Sequence, residues 1–163
     1  MYKILLLIIL LGGAVSVLLW LAAGGLLSQM SRGENHSLLY VRGVPINVEI
    51  ADTPQERTQG LSGRDPLPDH HGLLFVFEEQ NPHGFWMKNM KFPIDIIWFA
   101  SDGRIVGIQE YASPESYPQV FYPDLPALYA LEVNAGFVDT FSIQKGDYID
   151  MPRTLFRKES PQQ

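Results

Sequence analysis

Cysteine is absent from the 163 residues. That excludes a disulfide framework, a thiolate nucleophile or metal ligand, and a lipid-modified cysteine, so packing alone must hold the core. Histidine is scarce, and His36, His70, His71 and His83 lack metal-ligand spacing. The adjacent pair would point apart on an extended chain, and no spaced His/Glu helical motif accompanies it. The four are read as loop residues. Gly-rich phosphate-binding patterns and a Gly-x-Ser-x-Gly elbow are also missing, and Gly60-Leu61-Ser62-Gly63 reads as a helix C-cap. No metal and no cofactor is expected. Positive charge is in deficit too, with 12 Lys and Arg against 18 Asp and Glu, and no basic cluster stands out. Nucleic acid is therefore a disfavoured partner.

What the chain does have is a charge-free apolar run over residues 4–27, with Lys3 before it and Ser28, Gln29 and Arg32 after it. At 1.5 Å per residue, a helix of that length crosses a hydrocarbon core of about 30 Å. Signal-peptide h-regions are usually about 7–15 residues, which favours a retained anchor. Ala22, Ala23 and Gly24 also supply small residues for cleavage. Residues 1–27 are thus expected to be a single transmembrane helix or signal sequence. The domain would then lie outside the cytoplasm, membrane-tethered or secreted after cleavage. Without residues 1–27 the count becomes 11 basic against 18 acidic residues, a net of −7.

Residues 28–37 read as a solvated linker, 38–156 as one domain and 157–163 as a tail. Val44, Ile46, Val48 and Ile50 alternate with Pro45, Asn47 and Glu49, the period of a half-buried strand, and residues 38–41 before the Arg42-Gly43 turn are its hairpin partner. Thr53, Pro54 and Glu56 spell an N-cap, a first-turn proline and a capping box, which predicts a short helix ending at Gly60. Strands are predicted at 73–77, 85–88, 94–99, 104–111, 127–133 and 148–151, with the pair 94–99 and 104–111 forming a hairpin. A Pro- and aromatic-rich loop spans 113–126, and 137–143 reads as a short helix or turn. Many short strands with one or two short helices predict a mainly β fold, a small closed or nearly closed β-barrel.

Arg57, Gly60-Leu61, Arg64, the run 72–77, Phe85-Trp86-Met87-Lys88-Asn89, Pro93-Ile94-Asp95, Leu131-Glu132 and Gly146-Asp147 follow one another in an order and spacing that resembles the family of domains of unknown function numbered 192. The similarity covers nearly all of residues 44–151, and its specific part is the block 72–95. Met90 and Ser62 depart from it, where threonine and methionine are common. The resemblance implies a compact, mainly β domain, often secreted or anchored, and no activity.

Chemistry must therefore come from the residues. Asp95 stands among apolar neighbours and shares a strand face with Ile97 and Phe99, so a partner is required; Arg57 and Arg64 are the natural ones, and the alternatives are a structural Arg–Asp pair or a ligand-facing role. Trp86 and Lys88 fall on one strand face and Asn89 on the other, a plausible wall for a sugar or polar ring, or else a core aromatic beside a snorkelling lysine. Glu132 is a second carboxyl in an apolar strand. The expected ligand-binding set is Arg57, Arg64, Trp86, Lys88, Asn89 and Asp95. Candidate catalytic residues are Asp95, Glu132 and Lys88. Two functions follow: an envelope binding or assembly module for a saccharide, peptide or protein, or an envelope hydrolase or transferase using Asp95 and Glu132 as paired carboxylates about 5–9 Å apart.

Overall fold

The computed structural model describes residues 36–152 and Leu155. The leader at 1–27 and the tail at 157–163 lie outside the described residues. Among the described residues, no helix is long and apolar enough to cross a membrane. The order of elements is β1 (His36–Val41), β2 (Val44–Ala51), α1 (Pro54–Gln59), β3 (His71–Asn81), β4 (Phe85–Trp86), β5 (Ile94–Phe99), β6 (Ile105–Ala112), β7 (Val120–Phe121), β8 (Ala127–Asn134), α2 (Phe137–Thr140) and β9 (Ile149–Asp150).

Seven strands form one sheet in the order β6-β5-β8-β3-β2-β1-β9, and β4 pairs with β7 as a separate ribbon. All pairings are antiparallel except β2 with β3. That parallel pair needs a crossover, and the crossover carries α1. The sheet curls into a half-barrel whose edges touch at the isolated bridge Arg104↔Tyr148. The Ile105 N–H donates to the Asp147 carbonyl there at 2.8 Å, and the Ile149 N–H to the Gly103 carbonyl at 2.9 Å. Of the expected closed or nearly closed barrel, the mainly β class holds and the sheet is a curled half-barrel. The two-residue β9 is too short to form a full ladder with β6.

Both faces of the central strands are buried, which is why β5 reads as a nearly continuous apolar run rather than an alternation. Inside the curl lie Leu39, Ile46, Val48, Leu74, Ile97, Phe99, Leu131 and Val133. Against the outer face, Leu61 after α1 and Phe85 and Met87 at β4 pack on Leu73, Phe75, Ile96 and Trp98. The curl needs a close approach of β3 to β8 at Gly72. A Cβ there would lie 2.9 Å from Leu131 Cδ1 and 3.0 Å from the Glu132 carbonyl oxygen.

The predicted capping box is present at α1. The Thr53 hydroxyl accepts from the Glu56 N–H at 3.3 Å, and Glu56 Oε2 accepts from the Thr53 N–H at 3.1 Å. A six-residue helix has little intrinsic stability, so this cap and the packing of Leu61 hold it. Thr53→Ala is expected to lower unfolding stability by about 1 kcal/mol, measured as the shift of the urea midpoint at constant slope.

Candidate functional site

Register decides which carboxyls can meet. Glu132 on β8 lies opposite Ile96 on β5 and Leu73 on β3, whereas Asp95 lies opposite Val133. Directly opposed residues share a face and neighbours along a strand do not, so Asp95 and Glu132 point to opposite sides of the sheet. The paired-carboxylate arrangement is therefore corrected.

Asp95 is fully buried. Its Oδ1 accepts from the Tyr111 N–H and its Oδ2 from the Val138 N–H, each at 2.9 Å. A bulge creates the first of these. Between Ile94↔Ala112 and Ile96↔Gln109, the two residues Glu110 and Tyr111 oppose the single Asp95. The amide of Tyr111, itself at φ +50°, is thereby released from the ladder and taken by the side chain. The second bond ties the first turn of α2 to β5. Asp95 is thus a structural clasp between β5, β6 and α2, satisfied by backbone donors and not by arginine.

The two arginines go elsewhere. Arg64 makes a two-pronged pair with Glu49, with Nη1 2.9 Å from Oε2 and Nη2 2.5 Å from Oε1. This hydrogen-bonded pair holds the Glu49 carboxyl below its ordinary range and raises the Arg64 guanidinium. Both side chains are more than a third exposed, so the pair adds little to stability. Arg57 donates through Nη1 to the carbonyls of Asp52 and Val76 and lies 5.7 Å from the centre of the Phe77 ring.

Glu132 is only half met. It is 5 % exposed, and its Oε2 has no hydrogen-bond partner. Burial pushes its carboxyl up to about 8, against a weaker lowering influence from the Leu61 backbone amide. The acid is therefore predominantly protonated at neutral pH. It forms part of the lining of a cavity of about 130 Å³ together with Arg57, Gly60, Leu61, Ser62, Phe75, Phe77, His83, Phe85, Trp86 and Met90. Gly60 lies over this acid. Its backbone stands at φ +51° and ψ −136°, and a Cβ there would come within 3.4 Å of Phe75 Cζ and 3.6 Å of Glu132 Oε2.

Aromatic rings surround the acid at differing tilts. Phe75 and Phe77 are nearly parallel with centroids 6.4 Å apart, and Phe85 stands almost perpendicular to Phe75 at 4.8 Å. His83 stacks flat on Phe77 at 3.5 Å. Desolvation lowers the pKa of this imidazole, and its Nε2 lies 3.0 Å from the Glu79 carbonyl. A carbonyl can only accept, so Nε2 carries the proton and Nδ1 of the neutral ring keeps its lone pair. Trp86 is 48 % exposed and meets Tyr117 edge-on at 6.3 Å.

Of the residues expected from sequence, the structure brings Arg57, Trp86 and Glu132 to one cavity. Lys88 is an outlying neighbour, with Nζ 5.7 Å from the centre of the Trp86 ring. Arg64 borders a different depression with Glu49, Glu56 and Leu73. Asn89 sits at φ +58° and its carbonyl accepts from the Gly63 N–H at 2.9 Å, which ends the expected strand 85–88 early. His83 was expected to be a loop residue and Gly60-Leu61 a helix C-cap, and neither they nor Phe77 stood among the expected site residues. His83 follows the polar stretch Glu78-Glu79-Gln80-Asn81-Pro82, so the sequence around it carried no signal for a cavity wall.

These features define a small mainly-β domain with an acid-floored aromatic cavity between the sheet and its α1–β4 cover. The chain belongs to the family DUF192, described as an uncharacterised ACR, whose model matches residues 37–151. Among curated proteins it is similar to a UPF0127 protein of Thermococcus gammatolerans, 29 % identical over 119 residues that make up 70 % of this chain and 72 % of that one. A crystal structure of a Sinorhizobium meliloti protein, provisionally assigned as a transcription regulator, shares 36 % identity with a TM-score of 0.65, covering 71 % of this chain and 92 % of that one. A protein of unknown function from Novosphingobium aromaticivorans shares 28 % identity with a TM-score of 0.67, over 74 % of this chain and 88 % of that one.

Proposed function

We propose that this protein is a binding module of the cell envelope, tethered by residues 1–27 or released after their cleavage, and that its cavity over Glu132 receives a small group of a ligand or partner. The observation that carries the binding reading is the buried Oε2 of Glu132, an unmet hydrogen-bonding atom in a cavity walled by aromatic rings. Leaving such an atom without a partner costs about 1–3 kcal/mol, and groups of this kind are retained where they serve a site. A perturbed acid in a cleft is the usual mark of such a site. The length of the apolar leader and the acidic balance support the envelope. The rival hydrolase or transferase mechanism lacks its second carboxylate on this face, since Asp95 is on the other.

Two measurements test the reading. In a Gram-negative host, protease added to spheroplasts should digest the domain of the full-length chain, and a protected, freely soluble cytosolic product would overturn the envelope assignment. A fragment library screened against the full-length chain should yield compounds that raise the unfolding midpoint and quench fluorescence in wild type but not in Trp86→Phe. A ligand at 100 times its Kd stabilises by about 2.7 kcal/mol. A library without any such compound overturns the binding module.

A further inference from the structure

Resting on the reading of the cavity as a binding site, we propose that it takes a primary alkylammonium group, either of a free amine or of a lysine side chain. Three features of the cavity converge on that chemistry.

The group at its base is a buried acid with one oxygen unmet; once its proton is released to solvent, the carboxylate left behind needs a donor, and a positive one gains most in a site this dry. The lining includes Phe75, Phe85 and Trp86, aromatic rings whose faces attract cations and repel anions, while Phe77 already carries His83 and the Arg57 guanidinium. His83 adds no positive charge, because its ring is desolvated and neutral and retains a lone pair at Nδ1. Arg57, the cation on the lining, opposes a second one, but its Nη1 is turned to the Asp52 and Val76 carbonyls and away from the acid's unmet oxygen, which it does not pair.

Size and field agree. About 130 Å³ is close to the roughly 150 Å³ apolar cavity that admits benzene, so a four-carbon chain ending in nitrogen fits. The net charge of −7 beyond residue 27 attracts cations to the surface. Lys88 already displays the same contact on the rim, with its ammonium 5.7 Å from the Trp86 ring centre.

The test uses the full-length chain in detergent with n-butylammonium, n-butanol and n-butyrate, three probes of one length and different charge, followed by fluorescence and by the carboxyl ¹³C resonance of Glu132. Butylammonium should bind at least tenfold more tightly than butanol and move the carboxyl resonance to its ionised position. In Glu132→Gln the tenfold preference should vanish. Nα-acetyl-lysine methylamide separates the sources: tighter binding than butylammonium assigns a peptide lysine, and weaker binding assigns a free amine. Butanol or butyrate binding as tightly as butylammonium overturns the ammonium assignment and leaves the binding module standing. Silence from all the probes also overturns it, and the fragment screen then decides the binding reading separately. The wild-type comparison of the three probes stands even if the variant fails to fold.

Discussion

Glu132→Gln should make the protein more stable than wild type at alkaline pH, with a gain that grows from about pH 4.5 and levels off above pH 8. The folded acid titrates near 8 because burial disfavours its charge, whereas the unfolded chain returns it to the ordinary value of 4.5. Between those limits the folded state holds a proton that the unfolded state has released. Stability therefore falls as pH rises through the window, and below 4.5 the group contributes no such slope. The full cost above pH 8 is on the order of 5 kcal/mol, a large fraction of the stability of a domain of this size. Glutamine carries no charge at any pH and escapes it. Urea unfolding of both proteins from pH 5 to pH 9 reads the difference directly. Parallel profiles would show that Glu132 is hydrated in solution and would remove the dry cavity from which the binding proposal starts.

The second large effect belongs to a residue outside the cavity. Asp95→Ala should lower stability by about 4 kcal/mol, because the Tyr111 and Val138 amides both lose their acceptor. Each buried donor left unmet costs roughly 1–3 kcal/mol. Asp95→Asn should recover little of this, since an amide offers one acceptor oxygen and turns its N–H₂ toward the other donor. The measurement is the urea midpoint together with amide hydrogen exchange at Tyr111 and Val138, which should lose protection before the rest of β5. A loss below 1 kcal/mol would mean that water or another group replaces the clasp. A structural clasp also predicts that ligand affinity per folded molecule stays unchanged in Asp95→Asn, which separates this residue from Glu132.

These two carboxyls show how one strand-face argument assigns opposite roles. Both are buried acidic residues in apolar strands, and in the sequence they look alike. Asp95 meets donors released by a bulge and by the start of α2, and it is satisfied. Glu132 faces the gap beneath the Gly60 corner, where Leu61 offers one backbone amide and Oε2 is left over. Satisfaction marks architecture, and the unmet atom marks the site.

Much of this protein was determined locally and could be read in order along the chain. The β1–β2 hairpin follows from the alternation 44–50 and the Arg42-Gly43 turn, and α1 from Thr53, Pro54 and Glu56, because turns, caps and strand alternation depend on neighbours a few residues away. The mainly β class follows from the same short-range signals, and the family from the order and spacing of the motifs between Arg57 and Asp147. What only the tertiary structure decided are relations between distant segments. The register of β8 against β5 put Asp95 and Glu132 on opposite faces, and the β6 bulge and the first turn of α2 supplied the Tyr111 and Val138 amides in place of an expected arginine. The stacking of His83 on Phe77 turned a loop histidine into a cavity wall. No sequence pattern records these, because a shift of one residue in a ladder reverses every side chain on the strand at almost no cost to local preference.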